Sequence, residues 1–302
     1  MPQSNGLAKR LAKAFLPMVA LTALLPGACK DSSGDQILTE NGPAPALWQI
    51  TNGAGEIEGW LFGTIHSLPD GVIWRTPKLQ QAIGQSELLV VEISGLADED
   101  AVSQVFGELA RSTGLPPLLE RVEPQYRSGL EKLMAQGHYR SGDFTATESW
   151  AAALTLAQIT ATGESENGID RAIIADFAGK PVLELEGARA QLGIFDTLPE
   201  ADQRDLLEAV VEEFVSESSA KSDELAAVWL RGDMKRLSEE NSQGMLADPE
   251  LKAALLTGRN EAWARSLAQM MPAQGKMMIA VGAAHMAGDG GLPAILGRSG
   301  YT

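Results

Sequence analysis

Two stretches at opposite ends of the chain share one pattern, an apolar run that closes on Gly-x-x-His. The first is Trp60-Leu61-Phe62-Gly63-Thr64-Ile65-His66 and the second is Ile279-Ala280-Val281-Gly282-Ala283-Ala284-His285. An Asp-Gly pair follows each of them, Asp70-Gly71 and Asp289-Gly290. An apolar run bounded by glycine predicts a buried strand. The histidine then falls just past the strand's carboxyl end, the edge where open α/β sheets collect ligands. The chain holds 3 histidines, and two of them occupy this frame. A fold that uses both must bring the two strand ends together.

With 302 residues and 44% hydrophobic content, the chain can build one large core or two modest ones. A formal charge of −16 argues against a nucleic-acid partner, because phosphate binding needs clustered Lys and Arg. It also argues against electrostatic docking on anionic lipid. The first residues carry a different message. Lys9, Arg10 and Lys13 precede an apolar run from Ala14 to Leu25, and small residues Gly27-Ala28 lead to Cys29. This is the layout of a secretory signal over residues 1–28. Cys29 is the 1 cysteine of the chain. Its place resembles the lipidated cysteine of bacterial lipoproteins, although Pro26 stands where Leu is usual. We therefore expect an exported lipoprotein facing the periplasm or cell exterior, held to the membrane through a lipid anchor only. A soluble periplasmic protein is the alternative. Without a second cysteine no internal disulfide can form, so the core must carry stability.

Residues 29–45 are polar and rich in Gly and Pro, as in a flexible tether. The domain then spans 46–302. Leu47–Ile50 and Glu58–Phe62 flank the turn Asn52-Gly53-Ala54-Gly55, which predicts an opening hairpin. Thr76-Pro77 opens a helix to about Ser86, with Thr76 as N-cap. Leu88–Ile93 reads as a strand buried on both faces. A right-handed crossover would set its end beside the end of the first strand. Helical patterns follow to about Ala161, including the Ala-rich Trp150–Gln158. Another helix begins at Gly168-Ile169-Asp170. Lys180–Glu186 is a third core strand, residues 199–273 are mostly helical, Met277–Val281 is the last strand and Leu292–Leu296 a closing helix. The expected class is α/β. Its central β-sheet is built from two related halves with long helical inserts, and each half ends a core strand in Gly-x-x-His.

His66, Glu92, Glu186 and His285 fall at the ends of these strands. A carboxylate at the end of an apolar strand is costly unless it is paired, protonated or bound to a cation. Two histidines and a carboxylate form a common catalytic metal set with one open position for water. The metal would lower that water's pKa, and a second carboxylate would take its proton. Nitrogen and oxygen ligands alone do not separate Zn²⁺, Mn²⁺ and Co²⁺. The bland reading makes Glu92 the ion-pair partner of Arg75 or Lys78. His138, in the loop-like Gly137–Arg140, reads as a surface residue. Gly63 and Gly282 would let backbone or substrate approach closely. No His-Glu-x-x-His, Gly-x-Ser-x-Gly or phosphate-binding loop is present.

In order along the chain stand Leu61-Phe62-Gly63-Thr64-Ile65-His66, Leu89-Val90-Val91-Glu92, Gly168-Ile169-Asp170, Lys180–Glu186 with Gln191, Arg259-Asn260-Glu261-Ala262-Trp263 and Val281–His285. The ordered set resembles the TraB/PrgY/GumN family, which includes the Tiki proteases. The resemblance implies a fold of the erythromycin-esterase and ChaN type and a metal-dependent hydrolase with a peptide or protein substrate. It makes His66 and His285 the motif histidines and Glu92 the acid after the first motif. Glu186 and Gln191 match later family positions, and Arg259-Asn260 matches a pair that orients substrate or braces the site. ChaN-like relatives are associated with haem and iron, so a non-catalytic haem- or metal-binding lipoprotein is the alternative.

Overall fold

The computed structural model describes residues 43–66, 68–69, 71–95, 99–160, 168–216, 219–240, 242 and 244–302. The expected signal segment, Cys29, most of the expected tether and Asp70 lie outside them. The strands are β1 (Leu47–Thr51), β2 (Ile57–Thr64), β3 (Leu88–Val91), β4 (Val182–Glu184) and β5 (Met277–Gly282). About eleven α-helices accompany them among the described residues. In chain order the first six are α1 (Pro77–Gln85), α2 (Glu99–Leu109), α3 (Arg127–Gln136), α4 (Ser149–Thr160), α5 (Ile169–Asp176) and α6 (Ala188–Asp196). Then come α7 (Glu200–Val215), α8 (Ser219–Leu230), α9 (Met234–Glu240), α10 (Gly258–Gln274) and α11 (Leu292–Arg298).

The sheet has five strands in the order β1-β2-β5-β3-β4. β1 and β2 form the expected antiparallel hairpin, and all other pairs are parallel. The architecture is therefore α/β around a mixed sheet. One expectation fails here: β3 does not lie beside β2. The last strand, β5, slots between them, pairing Gly59–Thr64 with Met277–Gly282 on one side and Leu88–Val91 with Met277–Ala280 on the other. All six residues of β5 are buried, so the most completely apolar strand takes the centre of the sheet. β4 differs as well. It has only 3 residues, which are half-buried or exposed, because it is an edge strand with a single neighbour.

Side chains alternate across β5 and divide the core. Met278 and Ala280 face Phe62, Leu89, Val91, Trp74 and Trp229, under α1, α5, α8 and α9. Ile279 and Val281 face Leu61, Val90, Trp263 and Leu267, under α10 and α11. A separate helical core forms around Trp150, Leu130, Leu133, Leu156 and Leu207. Each large apolar side chain buried this way contributes roughly 1.5–3 kcal/mol. α1 starts where the Thr76-Pro77 pair predicts, with the Thr76 hydroxyl accepting from the Leu79 N–H at 3.0 Å.

The motif glycine of β2 has a packing reason. A Cβ on Gly63 would sit 3.0 Å from the Cα of Ala283, in the turn that carries His285. The close approach is between the two motif segments. Gly63→Ala is expected to destabilise the fold by about 1–3 kcal/mol. Gly84 in α1 has open space around it, and Gly84→Ala should stabilise by up to about 1 kcal/mol. Urea denaturation midpoints of the two variants check the contrast; equal midpoints would refute the steric argument.

Candidate functional site

The parallel pairing of β2 with β5 places Thr64 opposite Gly282. His66 therefore leaves the sheet two residues after β2, and His285 three residues after β5, at the same sheet edge. Glu92 follows β3, on the other side of β5. Beyond β4, the N–H groups of Glu186 and Gly187 donate to the Glu92 carbonyl at 3.3 and 3.2 Å. Four strand ends thus deliver the four expected side chains to one region.

The two histidines arrive in different states. The Nδ1 of His66 lies 2.7 Å from Asp170 Oδ2, and the Thr64 hydroxyl donates to the other Asp170 oxygen. Asp170 is in the first turn of α5, and the Ile169 N–H holds that turn to the Ile65 carbonyl at 2.9 Å. The His66 side chain remains 20% exposed. Burial presses its pKa down, but the Asp170 carboxylate and its hydrogen bond, helped by Glu92, raise it from 6.5 to about 9. His66 is an imidazolium at neutral pH. Asp170 is held below its ordinary value, because the charge and hydrogen bond of His66 outweigh the cost of burial.

His285 is only 2% exposed. Asn260 fixes its tautomer. The Asn260 Nδ2 donates to the Gly290 carbonyl at 2.7 Å, so its Oδ1 accepts from His285 Nδ1 at 2.6 Å. Nε2 keeps its lone pair, which faces Arg259 Nη1 at 3.3 Å. Burial, joined by the charges of Arg259 and His66, pushes the pKa of His285 down to about 3 against the pull of Glu92. It is a neutral acceptor, packed against Trp263 with ring centres 4.4 Å apart and planes tilted by 39°.

Between the strand ends lies Arg259, 8% exposed. Its Nη2 donates to Glu92 Oε2 and Glu186 Oε2, both at 2.8 Å, and its Nε donates to Glu186 Oε1 at 3.0 Å. The Trp263 indole N–H donates to Glu186 Oε1 at 2.9 Å. Glu92 Oε1 accepts from the Gly282 N–H at 2.8 Å and its Oε2 accepts from Gln191 at 3.2 Å. Burial would raise the pKa of Glu92, but His285, Arg259 and the Gly282 N–H hold it below its ordinary value. Its ion-pair partner is thus Arg259. Arg75 pairs with Asp176 instead. Gly282 also has a local reason: a Cβ there would stand 3.3 Å from Glu92 Oε1.

These contacts cover the same ordered residues that carry the family resemblance. The family model TraB/PrgY/gumN matches residues 46–302. The chain belongs to the TraB/PrgY/gumN family. Two relatives in this TraB-type family are the "Uncharacterized protein YbaP" of Shigella flexneri and that of Escherichia coli (strain K12). The first is 25% identical over 247 residues, covering 80% of this chain and 89% of the relative. The second is 25% identical over 241 residues, covering 78% and 86%. No solved structure matches the chain significantly.

Of the residues singled out from sequence, Glu92, Glu186, Gln191, Arg259, Asn260 and His285 meet in one hydrogen-bonded network, while His66 is bonded to Asp170 and is coupled to Glu92 and Arg259 through charge. His138 stands apart, exposed and with a φ of 58°. Asp170 stands in the sequence at a helix start and within the ordered family set, but nothing local links it to His66, 104 positions away. The donor set does not fit the expected metal as arranged. Both Glu186 oxygens, Glu92 Oε2 and His285 Nε2 face the guanidinium. Among the described residues no three His, Cys, Asp or Glu side chains are grouped to hold a metal ion.

An NMR pH titration of the 3 histidines tests the electrostatics. His66 should titrate near 9 and His285 near 3. The raised His66 pKa means that its pair with Asp170 contributes fully below about 6.5, and that this stability is lost as pH rises through 9. The depressed His285 pKa acts oppositely: its contribution is present above about 6.5 and fades as pH falls toward 3. In Asp170→Asn the His66 value should drop to the ordinary range or below. An ordinary His66 value in the unmodified protein would contradict the ion pair.

Proposed function

We propose that this protein is a hydrolase of peptide bonds whose proton-transfer groups are His66 and Glu92. The observation that carries the reading is the placement of His66 and Glu92 just past the ends of β2 and β3 at one sheet edge, with His66 Nδ1 held by Asp170 and Glu92 Oε1 taking a single backbone donor. An imidazolium that reaches solvent stands near a carboxylate held ionised, and each feels the other's charge. Groups whose environments push their pKa values apart divide naturally into acid and base.

Glu92 Oε1 has one hydrogen-bond donor and so retains a lone pair for a water proton. That water attacks the amide carbonyl carbon, and Glu92 takes its proton. The leaving amide nitrogen needs a proton before the bond breaks, and the His66 imidazolium supplies it from Nε2. Asp170 on Nδ1 keeps Nε2 as the nitrogen available to a substrate. Peptide substrates are favoured because the family includes peptide-cleaving members and because an amine leaving group is the one that most needs this acid. We attach to the paired Gly-x-x-His motifs an origin in two related halves, supported by the adjacent parallel strands that bear them.

With a peptide-library substrate, His66→Ala and Glu92→Gln should each lower kcat/KM by about 10²–10⁴-fold. The alkaline limb of the rate profile should lie near pH 9 and shift toward lower pH in Asp170→Asn. Undiminished turnover by His66→Ala would end this reading.

We also propose export as a lipoprotein, motivated by the signal-like residues 1–28 and the lone Cys29. Radiolabelled palmitate should enter the unmodified protein and not Cys29→Ser. Absence of label in both would return the protein to the soluble periplasmic alternative.

A further inference from the structure

We propose that Arg259 is the resident cation of this site and stands where the donor set would otherwise hold a divalent metal. The inference concerns the site assigned to hydrolysis, but its test needs no turnover.

The argument begins with a count of donors. A guanidinium has five N–H groups in a rigid planar fork. In Arg259 the Nε–H goes to Glu186 and the two Nη2 hydrogens go to Glu92 and Glu186. The two Nη1 hydrogens face the Leu255 carbonyl at 3.0 Å and His285 Nε2 at 3.3 Å. Every donor has an acceptor, and three of the acceptor side chains are the expected metal ligands. His66, the fourth, is held on the Asp170 side. The acceptors therefore answer to one planar cation rather than to one point charge.

The backbone is shaped to deliver it. The turn Ala253–Thr257 is π-helical and runs directly into α10, where Arg259 is the second residue. The Leu255 carbonyl that Nη1 caps belongs to that turn. Such π-turns are rare and tend to mark functional positions. The guanidinium carbon lies 4.6 Å over the Trp263 ring, which fixes the plane of the fork. A lysine would supply the charge but neither the fork nor the stacking.

Charge sets the consequence of removal. Glu92 and Glu186 have side chains 16% and 13% exposed, and the guanidinium joins both. Without it two carboxylates and the His285 imidazole would face one another in a largely buried space, which is the donor set a divalent ion takes. Arg259→Ala should therefore gain a metal site that the unmodified protein lacks.

Elemental analysis after dialysis, on the whole folded chain, decides the point. The unmodified protein should retain far less than one divalent ion per chain after exposure to Zn²⁺, Mn²⁺ or Co²⁺. Arg259→Ala should retain about one per chain and melt at a higher temperature with the ion than without it. Arg259→Lys, which keeps the charge, should retain none. If Arg259→Ala folds only when metal is present, the proposal is supported. If it folds and binds none, the proposal fails. It fails equally if the unmodified protein retains one ion that His285→Ala loses. That measurement stands whether or not Arg259→Ala can be obtained.

Discussion

The parallel pairing of β2 with β5 is the constraint from which the site follows. Its register puts Thr64 opposite Gly282. A slip of one residue would turn every side chain of β5 to the other face. Such a slip would exchange Met278 and Ala280 for Ile279 and Val281 between two cores that are filled by different helices. Packing on both faces therefore fixes the height at which the two motif loops emerge. The loops pack on one another, which is why Gly63 has no room for a side chain. The chemistry at the sheet edge depends on this fit more than on any single polar contact.

From that shared edge the two histidines diverge because their partners differ. A carboxylate faces His66 and an amide faces His285. The first partner favours the protonated ring, and the second accepts one hydrogen bond from a neutral one. Exposure divides them in the same way, 20% against 2%. Similar sequence frames thus yield one imidazolium that reaches solvent and one buried neutral acceptor. The asymmetry comes from α5 and α10, the helices that supply Asp170 and Asn260.

Much of the architecture could be read from the chain. Continuous apolar runs mark β2, β3 and β5, and Thr76-Pro77 marks the start of α1, because these signals are local. The strand order could not be read that way. Nothing within β5 states that it lies between β2 and β3, and a crossover argument based on neighbouring segments misses a strand that arrives 190 residues later at the same ladder. The length of β4 was overread because the stretch after Pro181 looks as apolar as a central strand, while only one neighbour is there to pair with it. The motif histidines and Glu92 could be found from their place at strand ends. The partner of Glu92 could not, since Arg259 is 167 positions away and both Arg75 and Lys78 are nearer in sequence. Sequence frames name candidates for a site, whereas the charge each one carries is set by long-range partners.

The central strand is also the last one made. Until residues 277–282 are available, β2 and β3 each have an open edge on the side that β5 will fill. Open edges invite pairing with other chains. Forming the sheet also requires closing a loop of nearly the whole domain, which slows folding. A growing or truncated chain therefore carries two strands each open along one edge, lacks His285 and lacks the Gly282 N–H that holds Glu92. Completion of the sheet and assembly of the site are one event, so no partial product can hold the finished network.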